Sequence, residues 1–256
     1  MIATWAIPLT HIDIQRVNRD RQHRDDLFRV AASWIDGKDH WATTKPWSLS
    51  TLARIDGVAA IQLCTLTEEA AERLNAHVDP GAVVKLGAQS ATVIAPPVPL
   101  AWTHPTVIAN EPAERAHVVA FDTVTFRNGS RSSPFPDPGS MLRSLASRWN
   151  ALYAAQTTAI EITHERCASV WISDLDGRTD TLKIPLKQRN AAPGKSEYVK
   201  PLTLSAFVGR VRYVADNHDS ATALTGLLRF AEYAGVGSYT TRGLGRITRE
   251  PTWQPG

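Results

Sequence analysis

The order of its apolar patterns limits the folds open to this chain more than any other feature. Residues 1–95 predict a strand, a helix, two strands, a helix and a strand. Apolar residues recur every three or four positions in the helices, and they alternate or form short runs in the strands. The same order recurs after residue 117, without visible sequence identity between the halves. Two βαββαβ units in tandem predict an α+β fold of two ferredoxin-like, RRM-like domains.

A proline-rich stretch separates the two units. Residues 95–113 read APPVPLAWTHPTVIANEPA and contain five prolines. Since proline disfavours helix interiors and central strands, we predict a crossing segment or linker in this stretch. The predicted domains are therefore residues 1–112 and 113–256. Within them, Asp56-Gly57 and Asp176-Gly177 each predict a tight turn between two strands.

Composition excludes several classes of protein. The 256 residues include only two cysteines, Cys64 and Cys167, which lie far apart and form no CxxC motif. This argues against a disulfide scaffold or a zinc ribbon and favours the reducing cytoplasm. No apolar run approaches the ~20 residues of a membrane span, and residues 1–10 lack the pattern of a signal peptide. The histidines and carboxylates show no metal-ligand spacing, so we expect neither a metal nor another cofactor.

The most specific stretch is a glycine loop, GVGSYTTRGLG, at residues 235–245. Glycines allow positive φ angles and the close approach of another chain, and the exposed amides of such loops bind anions. A dinucleotide-binding fingerprint precedes a helix, whereas this loop follows one and leads into a strand. We therefore predict contacts to the phosphate backbone of a nucleic acid; the alternative is a glycine-capped helix end and a tight turn without a ligand. The predicted contacts are Gly235, Gly237, Ser238, Thr240, Thr241, Arg242, Gly243 and Gly245.

Basic residues cluster in the second half, although the formal net charge of the chain is only +3. Between residues 178 and 212 the cations clearly outnumber the acids. Cation clusters bind nucleic-acid backbones by releasing counterions, so this segment predicts a phosphate-binding arm. The alternative is a solvated hairpin with long cationic side chains. The predicted contacts of this basic arm are Lys187, Arg189, Lys195, Lys200, Arg210 and Arg212.

Three stretches of the chain resemble the Cas6 endoribonucleases, which cut CRISPR precursor RNA into guide units. The glycine loop is similar to the signature loop of that family. FPDPGSMLRSLASRWNAL, residues 135–152, resembles the helix that opens the second domain of the family. DHWATTKPWSLSTL, residues 39–52, resembles a segment after the first helix, with Trp47 where phenylalanine is commoner. The resemblance touches both halves and implies the same tandem ferredoxin-like fold.

The resemblance also implies a chemistry. In the family, cleavage needs no metal: the ribose 2′-hydroxyl attacks the adjacent phosphorus and leaves a 2′,3′-cyclic phosphate and a 5′-hydroxyl. Histidine can transfer the proton near neutral pH, and a cation can stabilise charge on the phosphorus. His40 and Lys45 lie in the matching segment, so we predict His40 as general acid or base and Lys45 as electrostatic stabiliser. His11 and His23 are the alternatives, and His23 is predicted to lie exposed on the charged face of the first helix.

The expected partners are CRISPR repeat RNA in precursor transcripts and other subunits of a CRISPR effector complex, with no membrane involved. One alternative function is a non-cleaving RNA-binding subunit of a surveillance complex, which would not need His40 beside Lys45. Another is an RRM-type regulator that stacks single-stranded RNA on aromatic side chains. Residues 178–186 lack the aromatic motif that such a module carries on its third strand.

Overall fold

The computed structural model describes residues 1–19, 23–37, 43–128, 131–186 and 200–253. The first half of the chain contains β1 (Ile2–Pro8), α1 (Ile14–Arg19), α2 (His23–Ile35), β2 (Trp47–Ile55), β3 (Val58–Thr65), α3 (Glu68–His77), β4 (Val83–Leu86), β5 (Gln89–Thr92), β6 (Val98–Thr103) and α4 (Pro105–Ala109). The second half contains β7 (Ala116–Val124), β8 (Phe126–Asn128), β9 (Arg131–Ser133), α5 (Pro138–Tyr153), α6 (His164–Ala168), β10 (Val170–Leu186), β11 (Lys200–Ala215), α7 (His218–Ala234) and β12 (Ile247–Glu250).

Two four-stranded antiparallel sheets organise these elements. The first has the order β2-β3-β1-β6 and the second the order β10-β11-β7-β12. In each sheet the first and third strands of a βαββαβ unit lie at the centre and the second and fourth at the edges. The predicted α+β fold of two ferredoxin-like units is therefore confirmed.

The fourth strand of the first sheet comes from a segment where the sequence predicted a linker. Residues 83–86 and 91–95 have the sequence pattern of extended chain and predict the strand that ends the first unit. They instead give β4 and β5, which pair only with each other as a hairpin within the described sheets. The edge strand β6 lies inside the proline-rich stretch and pairs with β1. An edge strand tolerates proline because half of its amides face away from the ladder. Pro105 likewise occupies the first turn of α4, where proline is favoured.

The two Asp-Gly pairs behave differently. Asp56 and Gly57 both have positive φ and connect β2 to β3 in a tight turn, as predicted. The turn predicted at Asp176-Gly177 is wrong, because β10 runs straight through it and Gly177 pairs with Gly209 of β11. A Cβ on Gly177 would overlap the Val208 carbonyl and the Phe207 ring. This glycine therefore serves the close approach of two strands.

Packing covers both faces of β1, β2 and β3 in the first sheet, whereas five of the six residues of the edge strand β6 are exposed. Helices α2 and α3 cover one face, where their apolar side chains share a core with Trp5, Ile61 and Leu63 of the sheet. Helix α7 of the second half contacts β1, β2 and β3 as well as β11 and β12. The two halves therefore pack along a shared apolar layer, which includes Ile2 and Leu66 from the first half. Among the described helices, none is both long and apolar enough to cross a membrane.

Candidate functional site

The glycine loop begins where α7 ends. Gly235 caps this helix with a φ of 69°, and the Val236 amide donates to the Gly245 carbonyl at 2.8 Å, which closes the loop at its base. A single 3-10 turn, Thr240–Arg242, forms its tip. All four predicted glycines have positive φ, so the backbone requires the residue that the sequence provides.

The close approaches that these glycines permit are to the protein itself. A Cβ on Gly237 would overlap the Thr125 carbonyl oxygen, and one on Gly245 would overlap the Val236 carbonyl oxygen. The junction between β7 and β8 also binds the loop, since the Ser238 amide donates to the Thr125 carbonyl at 2.8 Å. The glycines thus build the loop, and contact between them and a nucleic acid stays a prediction.

One part of the loop keeps amides available. The amides of Arg242, Gly243 and Leu244 donate to carbonyls of residues 239 and 240. In the described part of the chain, the amides of residues 239–241 have no acceptor. Ser238, Tyr239 and Thr241 are partly exposed there. An incoming phosphate would therefore meet the loop at residues 239–241.

The side chain of Arg242 is bound to residues of the first half of the chain. Its guanidinium pairs with the carboxylate of Asp25 on α2 and lies 4.4 Å from the centre of the Phe28 ring. Arg24, on the same helix, donates to the Gly243 carbonyl at 2.8 Å. These contacts favour the structural alternative for Arg242 over the predicted phosphate contact.

We expect Arg242→Ala to lower the free energy of unfolding by ~1–3 kcal/mol, because among the described residues it leaves the buried Asp25 with only Arg29 as a cation partner. Denaturant unfolding of the variant measures this change. The matched control is Thr241→Ala, which truncates a partly exposed neighbour in the same loop. Unchanged stability combined with weaker RNA binding would restore the interpretation of Arg242 as a phosphate contact.

Arg148 joins the glycine loop to the segment that contains Lys45. Its Nη1 donates to the Ala234 carbonyl and, at 3.0 Å, to the Thr240 hydroxyl oxygen. Its Nη2 donates to the carbonyls of Lys45, at 3.0 Å, and Trp47, at 2.8 Å. Burial lowers the pKa of the Arg148 guanidinium to about 10, so it stays charged at neutral pH.

Lys45 is held by a carboxylate. Its ammonium lies 2.8 Å from Oδ2 of the buried Asp36, and only 14% of its side chain is exposed. The indole N–H of Trp47 donates to the other oxygen of Asp36 at 2.6 Å. Lys45 would have to leave this pair to reach a phosphate, so its role as electrostatic stabiliser stays a prediction. His40 lies outside the described residues.

Of the two alternative histidines, one has a different environment from the one predicted. His23 is buried, with 2% exposure, whereas the sequence placed it on the charged face of α2. The reason is helical phase, because His23 lies one turn before Leu27 and Ala31 on the apolar stripe. A buried imidazole is poorly placed to meet an RNA, whereas His11 is exposed.

The basic arm is described only in part. Lys187, Arg189 and Lys195 lie outside the described residues, and Lys200 begins β11. Arg210 and Arg212 lie opposite the buried face of β11, as predicted, and both carry carboxylate partners. Arg210 pairs with Glu250 at 3.0 Å and Arg212 with Asp174 at 3.4 Å. Their predicted RNA contacts remain predictions.

Apolar side chains connect the arm to the glycine loop. Ile184 of β10 and Leu204 of β11 pack with Leu244, and Tyr239 packs against the same cluster. The described part of the arm therefore shares a surface with the loop. Across the described ranges, no three His, Cys, Asp or Glu side chains are grouped closely enough to hold a metal ion.

Sequence reasoning passed over Arg148. A signal was present, since positions 141, 145, 148 and 152 form one helical stripe and three of them are apolar. A charged residue inside an apolar stripe requires buried acceptors, and for Arg148 these are three backbone carbonyls and a hydroxyl.

Comparison with known proteins gives a consistent result. The family model for CRISPR-associated endoribonuclease Cas6 matches residues 119–247. A Cas6 solved in a substrate mimic complex is 22% identical, with a TM-score of 0.67 over 97% of this chain and 99% of that chain. A Cas6 product complex is 16% identical, with a TM-score of 0.65 over 98% and 100%. Thermus thermophilus Cas6 is 16% identical, with a TM-score of 0.62 over 98% of both chains. No curated protein matches the chain significantly in sequence.

Proposed function

Because the chain belongs to the CRISPR-associated endoribonuclease Cas6 family, we propose that it cleaves CRISPR repeat RNA in precursor transcripts, in the cytoplasm, to release guide RNAs. The family match over residues 119–247 carries this proposal, since it includes α5 and the whole glycine loop. Similar folds have been solved with a substrate mimic and with a product, which supports RNA as the ligand.

The proposed chemistry is attack of a ribose 2′-hydroxyl on the adjacent phosphorus, without a metal ion. The 2′-oxygen gives up its proton and bonds to the phosphorus, which forms a 2′,3′-cyclic phosphate. The bond from phosphorus to the 5′-oxygen of the next nucleotide breaks, and that oxygen takes up a proton, so the step has no net gain or loss of protons. His40 is proposed to transfer a proton in this step, on the strength of its place in the family-like segment. Lys45 is proposed to stabilise the charge that develops on the phosphate oxygens, provided that its ammonium exchanges Asp36 for the RNA.

The described structure supports a path for the RNA. The loop offers the amides of residues 239–241 and the partly exposed hydroxyls of Ser238 and Thr241. The base of the basic arm lies beside them through the Ile184–Leu204–Leu244 cluster. Arg210 and Arg212 add positive charge on the outward face of the same strand, although carboxylates partly offset it. A cationic arm can hold the backbone of an RNA without reading its bases.

The test is incubation of the purified protein with its repeat RNA in excess EDTA, followed by mapping of the product ends. We expect cleavage at one position, with a 2′,3′-cyclic phosphate on one product and a 5′-hydroxyl on the other. Activity that EDTA abolishes and Mg²⁺ restores would contradict the metal-independent chemistry. Tight binding without cleavage would favour the alternative of a non-cleaving subunit in a surveillance complex.

A further inference from the structure

The two Nη atoms of Arg148 bind opposite sides of the candidate site. Nη1 holds the end of α7 and the glycine loop, through Ala234 and Thr240. Nη2 holds the segment after residue 43, through the carbonyls of Lys45 and Trp47. We propose that Arg148 is a positioning residue that fixes the Lys45–Trp47 segment against the glycine loop, and that repeat-RNA cleavage depends on this alignment. The inference rests on the proposed function.

Arginine suits this task better than any other side chain. Its guanidinium is planar and presents five N–H donors in a fixed fork, so one rigid group can serve acceptors on two sides. Lysine has its donors on a single atom and cannot span both sets of acceptors. The four acceptors are neutral, and no carboxylate bonds to Arg148 in the described contacts. Directional hydrogen bonding, rather than charge pairing, is thus what the residue supplies.

Other bonds already tie the two halves together. The Tyr153 hydroxyl of α5 donates to the Leu66 carbonyl, and the Ser48 hydroxyl donates to the Tyr233 carbonyl. Neither of these bonds involves the glycine loop. Arg148 therefore shares the task of holding the halves together with other residues. Unlike these two bonds, those of Arg148 also align the glycine loop with the Lys45–Trp47 segment.

The experiment compares Arg148→Lys and Arg148→Gln with Tyr153→Phe. The control removes a buried bond between the same helix and the first half, but leaves the glycine loop untouched. Single-turnover cleavage, RNA affinity and Tm are measured for each. We expect both Arg148 variants to cleave about 10- to 100-fold more slowly with affinity within about threefold of wild type, since small misplacements of reacting groups have effects of this size. We expect Tyr153→Phe to have a lower Tm but to cleave at the wild-type rate.

A second measurement does not depend on catalysis. Amide hydrogen exchange of Arg148→Lys should accelerate in peptides covering residues 43–48 and 235–245, relative to Tyr153→Phe. Should the Arg148 variants fail to fold, Thr240→Val removes only the acceptor in the glycine loop and leaves three bonds in place. Measured at saturating protein, it should lower the single-turnover rate in the same direction, by a smaller factor.

Four outcomes would overturn the inference. Folded Arg148 variants that cleave at the wild-type rate remove the positioning role, and so does a Thr240→Val variant that cleaves at that rate. An equal loss of rate in Tyr153→Phe shows that stability alone is responsible. If the wild-type protein does not cleave repeat RNA, the proposed function fails. Amide exchange then tests the alignment by itself, and unchanged exchange in the two peptides overturns the positioning role of Arg148.

Discussion

His40→Ala is expected to slow the cleavage of repeat RNA by roughly two to four orders of magnitude, the usual contribution of a general acid or base. RNA affinity should change little, because contacts to the RNA backbone are spread over many side chains and amides. Single-turnover rates at saturating protein, with a parallel binding isotherm, separate the two effects. This result would identify His40 as the group that transfers the proton.

The control for that experiment is His11→Ala, because His11 is the alternative histidine that lies exposed in the structure. We expect it to cleave at the wild-type rate. A wild-type rate for His40→Ala and a large loss for His11→Ala would reverse the assignment. His23 is a weaker candidate than the sequence suggested, since its side chain lies on the buried stripe of α2.

Gly245→Ala is expected to lower the free energy of unfolding by about 4 kcal/mol or more, a loss that indicates a specific steric cause. Gly245 has a φ of 76°, and an added Cβ would overlap the Val236 carbonyl oxygen across the base of the glycine loop. The Val236 amide bonds to the Gly245 carbonyl, so the two strands of the loop cannot separate without losing that bond. Denaturant unfolding monitored by tryptophan fluorescence measures the effect.

Gly243→Ala is the matched control. Its φ of 74° is nearly the same, but the nearest atom to an added Cβ is 3.4 Å away, on the flexible side chain of Arg24. Only the left-handed conformation then opposes the methyl group, which costs about 1–2 kcal/mol. The two variants therefore separate backbone conformation from steric overlap. Equal losses would mean that the loop relaxes around Gly245 and that its base is not tightly closed.

The sequence alone predicted most of the secondary structure, because local patterns determine it. Thr67 followed by Glu68 and Glu69 is a local pattern that predicts a helix N-terminus, and the Thr67 hydroxyl accepts from the Ala70 amide of α3. Met141, Leu145 and Trp149 recur at helical spacing in the sequence, and all three are buried in α5, which begins at Pro138. Both sheets follow from the order of such patterns, since the βαββαβ unit has few alternative topologies.

What the sequence did not predict depends on tertiary contacts. Pro96 and Pro97 favour a linker when the sequence is considered alone. In the structure the residues that follow them form the edge strand β6, because they pair with β1. Asp176-Gly177 predicts a turn from the sequence alone, whereas in the structure Gly177 pairs with Gly209 on the neighbouring strand. Arg242 had the chemistry of a phosphate ligand, and only the fold shows that Asp25 occupies its guanidinium. Such residues are chosen by distant neighbours, so a single chain read locally cannot assign them.

Contacts between the two halves of the chain hold the glycine loop in place, and this affects how the protein is inactivated. The loop belongs to the second half, but α2 of the first half holds it through Arg24 and Asp25. The first half depends on the second in the same way, because Arg148 lies in the second half and donates to carbonyls of the first. The site is thus assembled only while the two halves are docked. Any change that separates the two halves should therefore abolish activity.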